Sequence, residues 1–251
     1  MRILVTGSEG FIGRHVVVTA RNRGHSVTCV DHQIESARYL NQYDIESFDA
    51  VIHLAAYIDI GESFERPWDY VSNNLMQMKN LEFAQRVVFA SSAAVYGKFS
   101  PYGYTKRLGE ALLPKNSISL RLFNPFGPGE NHKPENHLVP ILASNSNEGK
   151  VTTLYHNGEQ VRDFIHVSDV ALAFVMAAES DATGAYDLCS TPLSVKKVAE
   201  LMKVPFELAK KARDAGDTTT LVGDPLPLEK AIGFTPKKDV KEMLKNWRYW
   251  Y

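Results

Sequence analysis

Residues 2–13 read RILVTGSEGFIG, a short apolar run that ends in a glycine-rich turn. Such a run is typical of a buried parallel β-strand, which is apolar on both faces. Gly7, Gly10 and Gly13 then follow the pattern Gly-x-x-Gly-x-x-Gly, and residues 11–23 predict a helix. A strand, a glycine turn and a helix N-terminus form the phosphate-binding unit of dinucleotide-binding folds.

The next segment, 26–31, reads SVTCVD and predicts a second strand because β-branched residues dominate it. Asp31 ends this strand, 18 residues after Gly13. A carboxylate at that position accepts hydrogen bonds from the adenosine ribose and repels a 2′-phosphate, which favours NAD over NADP. The alternative is an aspartate that only begins a turn, and the adjacent glycines argue against it.

Strands and helices continue to alternate through the first half of the chain. Further strands are predicted at 50–54, 86–90 and 118–123, and helices at 67–85 and 102–113. This alternation predicts an α/β fold with a doubly wound (Rossmann) parallel sheet.

The pattern changes near Asn124, because residues 125–140 are rich in Pro, Gly, Asn and His and predict a long loop. Later segments predict a strand at 151–155, helices at 168–179 and 194–202, and a last helix that ends in aromatic residues. We expect a NAD-binding domain over 1–124, with a return element around 161–180, and a smaller mixed α/β substrate-binding lobe over 125–251. The aromatic residues 247–251 are expected to pack on that lobe or on a second subunit.

Composition excludes several classes of function. The 251 residues contain 28 Lys and Arg against 29 Asp and Glu, a formal charge of −1, which argues against a nucleic-acid partner. No apolar run approaches the roughly 18 residues of a membrane span, so no membrane partner is expected. Two cysteines exclude a disulfide framework and a four-thiolate zinc site, and they favour a reducing, cytoplasmic setting.

A candidate catalytic group lies at the predicted helix 102–113. Tyr102 and Lys106 are four residues apart and share one helix face, and the preceding strand leads to Ser92. The lysine ammonium and a cationic nicotinamide would lower the pKa of Tyr102 from its usual value near 10. Tyr102 would then take a proton from a hydroxyl that Ser92 holds in line. A buried tyrosine, a solvated lysine and a strand-end serine are the structural alternative.

These features together resemble the extended short-chain dehydrogenase/reductase superfamily and, within it, nucleotide-sugar epimerases of the UDP-glucose 4-epimerase type. The stretches that carry the resemblance are 6–13, 51–56, 73–74, 90–97, 100–106, 121–128 and 160–167. The resemblance implies inversion at C4 of a UDP-hexose by transient oxidation to a 4-keto sugar. It also implies a homodimer formed by the helices 67–85 and 102–113.

The resemblance further implies specific roles for residues. The residues that would hold NAD are Gly7, Gly10, Phe11, Ile12, Gly13, Asp31, Asp44, Ile45, Leu54, Ala55, Ala56, Asn74, Tyr102 and Lys106. Those that would bind the sugar nucleotide are Ser92, Asn124, His137, Leu138, Arg162 and Arg213, and the catalytic residues are Ser92, Tyr102 and Lys106. For Arg162, a surface salt bridge with Asp163 or Asp169 is the alternative.

One pair of residues distinguishes between reactions within this superfamily. Related 4,6-dehydratases carry Asp-Glu after the catalytic serine or threonine, whereas this chain has Ala93 and Ala94, which cannot transfer protons. Epimerisation is therefore favoured over two alternatives, a nucleotide-sugar reductase or dehydratase and a non-catalytic NAD-binding sensor. No metal site is expected, because the acidic and histidine residues of 130–137 match the family's substrate-binding segment and fit no recurrent zinc spacing.

The chain is several dozen residues shorter than these relatives. Only five residues separate Tyr96 from Tyr102, in a loop that normally lines the substrate pocket. Ile58 stands where galactose epimerases have a cofactor-contacting lysine, and Asp214 stands where an arginine is expected, with Arg213 one place earlier.

Overall fold

A computed structural model of the chain describes residues 1–31, 44–97, 100–130, 137–211 and 219–251, apart from the side chain of Gln77. The strands are β1 (Arg2–Thr6), β2 (Ser26–Val30), β3 (Ala50–His53), β4 (Val87–Ser92), β5 (Ile118–Leu122), β6 (Pro125–Phe126), β7 (Thr152–Leu154), β8 (Val161–His166), β9 (Gly184–Leu188), β10 (Thr191–Ser194), β11 (Phe206–Leu208) and β12 (Thr220–Leu221). The helices are α1 (Phe11–Asn22), α2 (Ile60–Glu65), α3 (Pro67–Leu75), α4 (Pro101–Leu112), α5 (Leu138–Asn147), α6 (Val167–Glu179), α7 (Val195–Met202), α8 (Leu226–Ile232) and α9 (Val240–Lys245).

The main sheet has six strands in the order β2-β1-β3-β4-β5-β9, and every neighbouring pair is parallel. Successive strand residues point to opposite sides of the sheet, so both faces present apolar side chains, and helices cover both faces. Ile3 faces a core that includes Val16 of α1 and Phe174 of α6. Leu4 faces the opposite core with Leu81. The predicted doubly wound α/β sheet is therefore confirmed.

The sheet is completed by the second half of the chain. Strand β9 pairs with β5 along the edge, in the register Ile118↔Gly184 to Leu122↔Leu188. Leu228 and Phe234, from α8 and the turn after it, are buried in the same core as Ile3. Neither β9 nor α8 was predicted from the sequence, and the division at residue 124 remains a prediction.

The predicted helix 67–85 is wrong in its second part. Helix α3 ends at Leu75, and Met76–Phe83 forms a 3₁₀ helix. Met78, Leu81 and Ala84 are all buried against the sheet. Met78 and Leu81 are three residues apart, so the 3.0-residue turn of a 3₁₀ helix places them directly above one another on the face toward the sheet.

The described part of the smaller lobe contains short strands and the helices α5, α7 and α9. Strand β8 pairs with β10, β12 and β6, while β7 pairs with β11. A second core lies between α5, α7 and α9, and it buries Val240, Leu244 and Trp247. The predicted terminal helix and its packing on this lobe are confirmed. Within the described residues, no helix is long and apolar enough to cross a membrane.

Candidate active site

The glycine turn lies at the point where the sheet changes direction. The chain leaves β1 toward β2 on one side, while β3 pairs with β1 on the other, so a crevice opens at the carboxyl ends of β1 and β3. Gly7 has φ +70°, and a Cβ there would lie 2.8 Å from the amide nitrogen of Ala55. A Cβ on Gly13 would lie 1.9 Å from the carbonyl oxygen of Gly7. Only glycine permits this close approach of helix to turn.

The first turn of α1 points into the same crevice. Gly10 is its N-cap, and among the described residues no side chain caps this helix end. The N–H groups of Phe11 and Ile12 belong to that first turn, where helical N–H groups lack intrahelical partners and attract anions. Ser8 is 1% exposed, and its hydroxyl has no hydrogen-bond partner in the described part of the chain. These features fit a dinucleotide pyrophosphate.

Asp31 lies directly after β2 and is 5% exposed. Its Oδ2 accepts a hydrogen bond from the backbone N–H of Glu9 at 3.0 Å, which fixes the carboxylate beside the glycine turn. The structure thus places Asp31 where the sequence predicts a ribose-binding carboxylate.

The other residues expected near the cofactor fall into two groups. Leu54, Ala55 and Ala56 form the start of the loop after β3, and the Ala55 N–H donates to Thr6 Oγ1 at 3.3 Å. Asp44 is exposed at the start of a 3₁₀ turn, Ile45–Ser47. The Ile45 side chain is buried in the core with Leu4, so only its backbone is available to a ligand.

Asn74 has a structural role that was not foreseen from the sequence. Its Oδ1 accepts from the N–H of Tyr57 at 2.8 Å, and its Nδ2 donates to the Tyr57 carbonyl at 3.0 Å and to Thr105 Oγ1 at 3.1 Å. The side chain is 3% exposed. Asn74 therefore fastens the loop after β3 to the catalytic helix α4, and its expected cofactor contact remains a prediction.

Ser92, Tyr102 and Lys106 come together as predicted. Ser92 is the last residue of β4; its Oγ accepts from the Ala94 N–H at 3.1 Å and hydrogen-bonds Tyr102. Lys106 is 3% exposed, donates from Nζ to the Ala90 carbonyl at 2.7 Å, and has its Nζ 6.0 Å from the centre of the Tyr102 ring. Helix α4 is positioned by Ser100, whose hydroxyl caps the Gly103 N–H at 3.0 Å, and by a proline at its first turn.

The predicted lowering of the Tyr102 pKa includes the charge of a bound nicotinamide, so it remains a prediction. Burial raises the pKa of Tyr102, and its hydrogen bond with Ser92 lowers it only in part. Burial also lowers the pKa of Lys106 to about 7, because a charged ammonium is costly in an apolar site. The neighbouring charge can be predicted from the sequence, but the desolvation of Tyr102 and Lys106 cannot, because it depends on burial in the folded chain. Strongly shifted pKa values at a crevice are typical of functional sites.

His53 lies between Lys106 and the crevice at the glycine turn. It ends β3, its Nδ1 lies 2.8 Å from Thr6 Oγ1, and its ring stacks on Phe89 with centroids 6.0 Å apart. The Lys106 Nζ lies 5.0 Å from the same Phe89 ring. Burial, and then the charge of Lys106, lowers the pKa of His53 to about 3, so this histidine is neutral.

A second group of polar residues near Ser92 was missed from the sequence. Glu110 accepts from Ser91 Oγ at 2.5 Å and forms a two-pronged ion pair with Arg121, at 2.9 Å from Nε and 2.7 Å from Nη2. Arg121 also donates to the Tyr96 hydroxyl, which donates to Asp187 Oδ1 at 2.8 Å. The available signal was the spacing of Glu110, four residues after Lys106 on one helix face.

Among the residues expected to bind the sugar nucleotide, two lie around β8. Asn124 is exposed with φ +23°, and its Nδ2 donates to the Asp163 carbonyl at 2.8 Å. Arg162 is half-buried, and its Nη1 donates to the Val161 carbonyl at 3.0 Å. Asp163 accepts the backbone N–H of Ser190, and Asp169 accepts those of Lys237 and Lys238.

His137 and Leu138 lie at the start of α5, where His137 is the N-cap and Leu138 packs on the smaller core. The His137 Nδ1 lies 2.9 Å from Oε1 of Glu130. Arg213, and with it the segment 212–218, lies outside the described residues. Across the described ranges, no group of three or more His, Cys, Asp or Glu is arranged to hold a metal ion.

Two relatives of this chain are both named UDP-glucose 4-epimerase. The UDP-glucose 4-epimerase of Neisseria meningitidis serogroup C is 30% identical, over 99% of this chain and 96% of that enzyme. The UDP-glucose 4-epimerase of Corynebacterium glutamicum is 28% identical, over 99% of this chain and 95% of that enzyme. That alignment runs over 316 positions, so the 251-residue chain is shorter through internal gaps.

Two solved structures of nucleotide-sugar 4-epimerases are also similar to this chain. A UDP-N-acetylglucosamine 4-epimerase from Methanobrevibacter ruminantium M1, in complex with UDP-N-acetylmuramic acid, has a TM-score of 0.85 at 27% identity and covers 99% of this chain and 97% of its own. The UDP-glucose 4-epimerase from Brucella ovis, in complex with NAD, has a TM-score of 0.84 at 27% identity, with 98% and 96% covered. The NAD dependent epimerase/dehydratase family matches residues 3–189, and the chain belongs to that family.

Proposed function

We propose that the protein is an NAD-dependent nucleotide-sugar 4-epimerase whose substrate is a UDP-hexose. The observation that carries this proposal is the group formed by the half-buried Ser92 and the buried Tyr102 and Lys106, joined through Phe89 and His53 to a crevice with the features of a dinucleotide site. Similar proteins named UDP-glucose 4-epimerase, over nearly the whole chain, support the same activity.

In this reaction the chain's own residues handle the proton and hold the sugar. Tyr102 takes the proton from the sugar hydroxyl and later returns it, while Ser92 hydrogen-bonds the same oxygen. The Ser92 oxygen accepts from the Ala94 N–H and its hydroxyl hydrogen-bonds Tyr102, so the two side chains are held where both can contact one reacting oxygen. When bound, NAD supplies a carbon that accepts a hydride from the sugar and returns it.

Burial of Tyr102 determines when this proton transfer can occur. The phenol's pKa is raised in the chain by itself, so Tyr102 is a poor base there. Tyr102 would be the stronger base when a cationic nicotinamide is bound, because positive charge favours the phenolate. Lys106 adds the charge of its ammonium when protonated.

Two residues separate epimerisation from the competing reactions. Ala93 and Ala94 begin the 3₁₀ turn after Ser92 and offer no acid or base for eliminating water. Epimerisation only returns the hydride to the other face of the 4-keto sugar, and this step needs no acid or base besides Tyr102. A binding protein without catalysis has no need for a buried tyrosine beside a buried lysine, which disfavours the sensor hypothesis.

The test is incubation of the purified protein with UDP-, dTDP- and GDP-sugars, followed by NMR of the sugar. We expect inversion at C4 of a UDP-hexose, with NAD retained on the protein. Tyr102→Phe is expected to lower turnover by at least about 10³-fold while bound NAD, measured by absorbance after denaturation, is unchanged. Dehydration products, or NAD(H) released in every cycle, would contradict epimerisation, and bound NAD with no product from any sugar would indicate a sensor.

A second proposal concerns assembly: the protein pairs with a second copy of itself through α3 and α4. Tyr104, Leu108 and Leu112 lie four residues apart on α4 and are 52%, 48% and 57% exposed. On α3, which packs against α4, Trp68 is 80% exposed. An exposed apolar stripe of this kind marks an association surface.

The dimer is tested by sedimentation. The wild-type protein is expected to have twice the 28.1 kDa chain mass, and Leu108→Asp is expected to be monomeric. Val18→Asp is the matched control, because Val18 is also an exposed apolar residue, at 57%, but lies on α1. A monomeric wild type, or a dimer that survives Leu108→Asp, would contradict the proposed surface.

A cytoplasmic location is part of the same proposal. Cys29 and Cys189 are both free cysteines, half-buried and buried respectively. Unpaired thiols are typical of reducing compartments.

A further inference from the structure

Glu130 is a buried carboxylate that joins two parts of the chain far apart in sequence. Its Oε1 lies 2.9 Å from Nδ1 of His137, and its Oε2 accepts a hydrogen bond from the hydroxyl of Tyr251. The residue is only 5% exposed. We call Glu130, His137 and Tyr251 the Glu130 clamp.

The hydrogen bonds of the clamp set the orientation of His137. An ionised carboxylate only accepts hydrogen bonds, so the imidazole donates from Nδ1 and the phenol donates from its hydroxyl. With Nδ1 committed to Glu130, Nε2 is the ring atom left to contact a ligand. The His137 side chain is 38% exposed, so the ring is open to solvent in part.

The clamp is anchored on both sides. Next to Tyr251, the Trp250 ring lies 6.0 Å from the ring of Phe126 and 5.5 Å from that of His166. On the other side, His15 of α1 lies with Nε2 2.9 Å from the carbonyl oxygen of Pro128. The residues just before Glu130 are thereby fixed to the cofactor helix and to the aromatic segment at once.

We propose that Glu130, supported by Tyr251, is a positioning residue for the sugar nucleotide: it fixes the ring of His137 and the start of α5 in the orientation that binds substrate. This proposal rests on the proposed function and on the expected contact of His137 and Leu138 with the sugar nucleotide. It assigns the aromatic residues near 251 a role in substrate binding, in addition to their packing on the smaller lobe.

The experiment compares Glu130→Gln and Tyr251→Phe with wild type, using the protein with NAD bound. The measurements are UDP affinity by calorimetry, kcat and KM for UDP-glucose, and the ¹⁵N NMR signal of the His137 ring. Tyr249→Phe is the matched control, because Tyr249 is 86% exposed and outside the clamp. If Glu130→Gln does not fold, Tyr251→Phe tests the proposal alone, because it removes only the hydroxyl that bonds Glu130 and leaves the aromatic ring in place.

Both variants are expected to weaken UDP binding and raise KM about tenfold, the scale of losing a hydrogen bond to a charged group. The kcat and the bound NAD should stay within about twofold of wild type. The His137 ring signal should shift in both variants, and the double variant should be no weaker than the worse single one, because both act on one carboxylate.

Three results would overturn the proposal. The first is a folded clamp variant with wild-type KM and UDP affinity. The second is a clamp variant whose kcat falls while its KM stays constant. The third is a tenfold weaker UDP affinity in the control Tyr249→Phe as well. A wild-type protein that binds no UDP would instead refute the proposed function, and the positioning role with it. The wild-type measurement and the variant measurements therefore separate the two failures.

Discussion

Lys106 and Glu110, one turn apart on α4, bond to consecutive residues of β4. The Lys106 Nζ donates to the Ala90 carbonyl at 2.7 Å, and Glu110 accepts from Ser91 Oγ at 2.5 Å. The next residue on the strand is Ser92. The helix that carries Tyr102 is thus fixed to the strand that carries its hydrogen-bonding partner.

Glu110→Gln is expected to reduce catalysis without affecting the cofactor. An amide cannot maintain the two-pronged pair with Arg121 and also accept from Ser91, so α4 shifts relative to Ser92. We expect kcat to fall about 10- to 100-fold with bound NAD unchanged, because small displacements of reacting groups are costly. Stability should fall by about 2–4 kcal/mol in denaturant unfolding. The control is Glu200→Gln, which removes an exposed pair with Lys197; an unchanged kcat in Glu110→Gln would contradict this role.

Gly13→Ala is expected to abolish retention of NAD. The added methyl group would lie 1.9 Å from the Gly7 carbonyl oxygen, so α1 must move away from the turn. Gly24→Ala is the control, because Gly24 has φ +83° with nothing within 4 Å of the new Cβ, and only about 1 kcal/mol of backbone strain is expected. Bound NAD is measured by absorbance after denaturation, and wild-type NAD content in Gly13→Ala would refute the close-packing argument.

Asp31→Asn is expected to weaken NAD binding by about tenfold and to reduce discrimination against NADP. The amide can still accept from the Glu9 N–H, but it neither binds ribose hydroxyls as strongly nor repels a 2′-phosphate. The measurement is fluorescence titration with both cofactors. Asp49→Asn is the matched control, because Asp49 also accepts a backbone N–H, from Arg2 at 2.6 Å, but is half-buried and directly precedes β3, at the amino end of the strand. Equal NAD affinity in wild type and Asp31→Asn would exclude the ribose contact.

Burial of Lys106 predicts how stability depends on pH. Its pKa is about 7 in the folded chain against 10.5 for the ordinary group, so between these values the unfolded chain binds more protons. The contribution of Lys106 to stability therefore rises from pH 7 to 10.5 and is least favourable below pH 7. Relative to Lys106→Met, wild type should gain about 2–3 kcal/mol between pH 7 and 9 in denaturant unfolding. A pH-independent difference would show that Lys106 keeps its ordinary pKa.

The arrangement around the glycine turn could be predicted because local sequence determines it. Gly7 and Gly13 sit at contacts that no larger residue tolerates, and Asp31 ends a strand of strong β propensity. Tyr102 and Lys106 could be placed because a helix brings residues four apart onto one face. In these cases the spacing of the residues along the sequence is enough to predict their arrangement.

The remaining features depend on partners far along the chain. Strand β9 is half-exposed at a sheet edge, so its residues carry little apolar pattern, and its place is set by β5. In the sequence, Glu110 and Arg121 are ordinary charged residues of a helix and a strand. They meet only because α4 packs on the sheet. The raised pKa of Tyr102 follows from burial, which only the assembled fold determines.

The position of β9 at the sheet edge has a consequence for biosynthesis. The backbone groups of β5 stay open on one side until residue 188 has left the ribosome, and Leu228 and Phe234 reach their core later still. A truncated chain that stops at residue 124 would present an uncovered, apolar parallel edge, which invites aggregation. The dinucleotide half can therefore mature only after nearly the whole polypeptide has been translated.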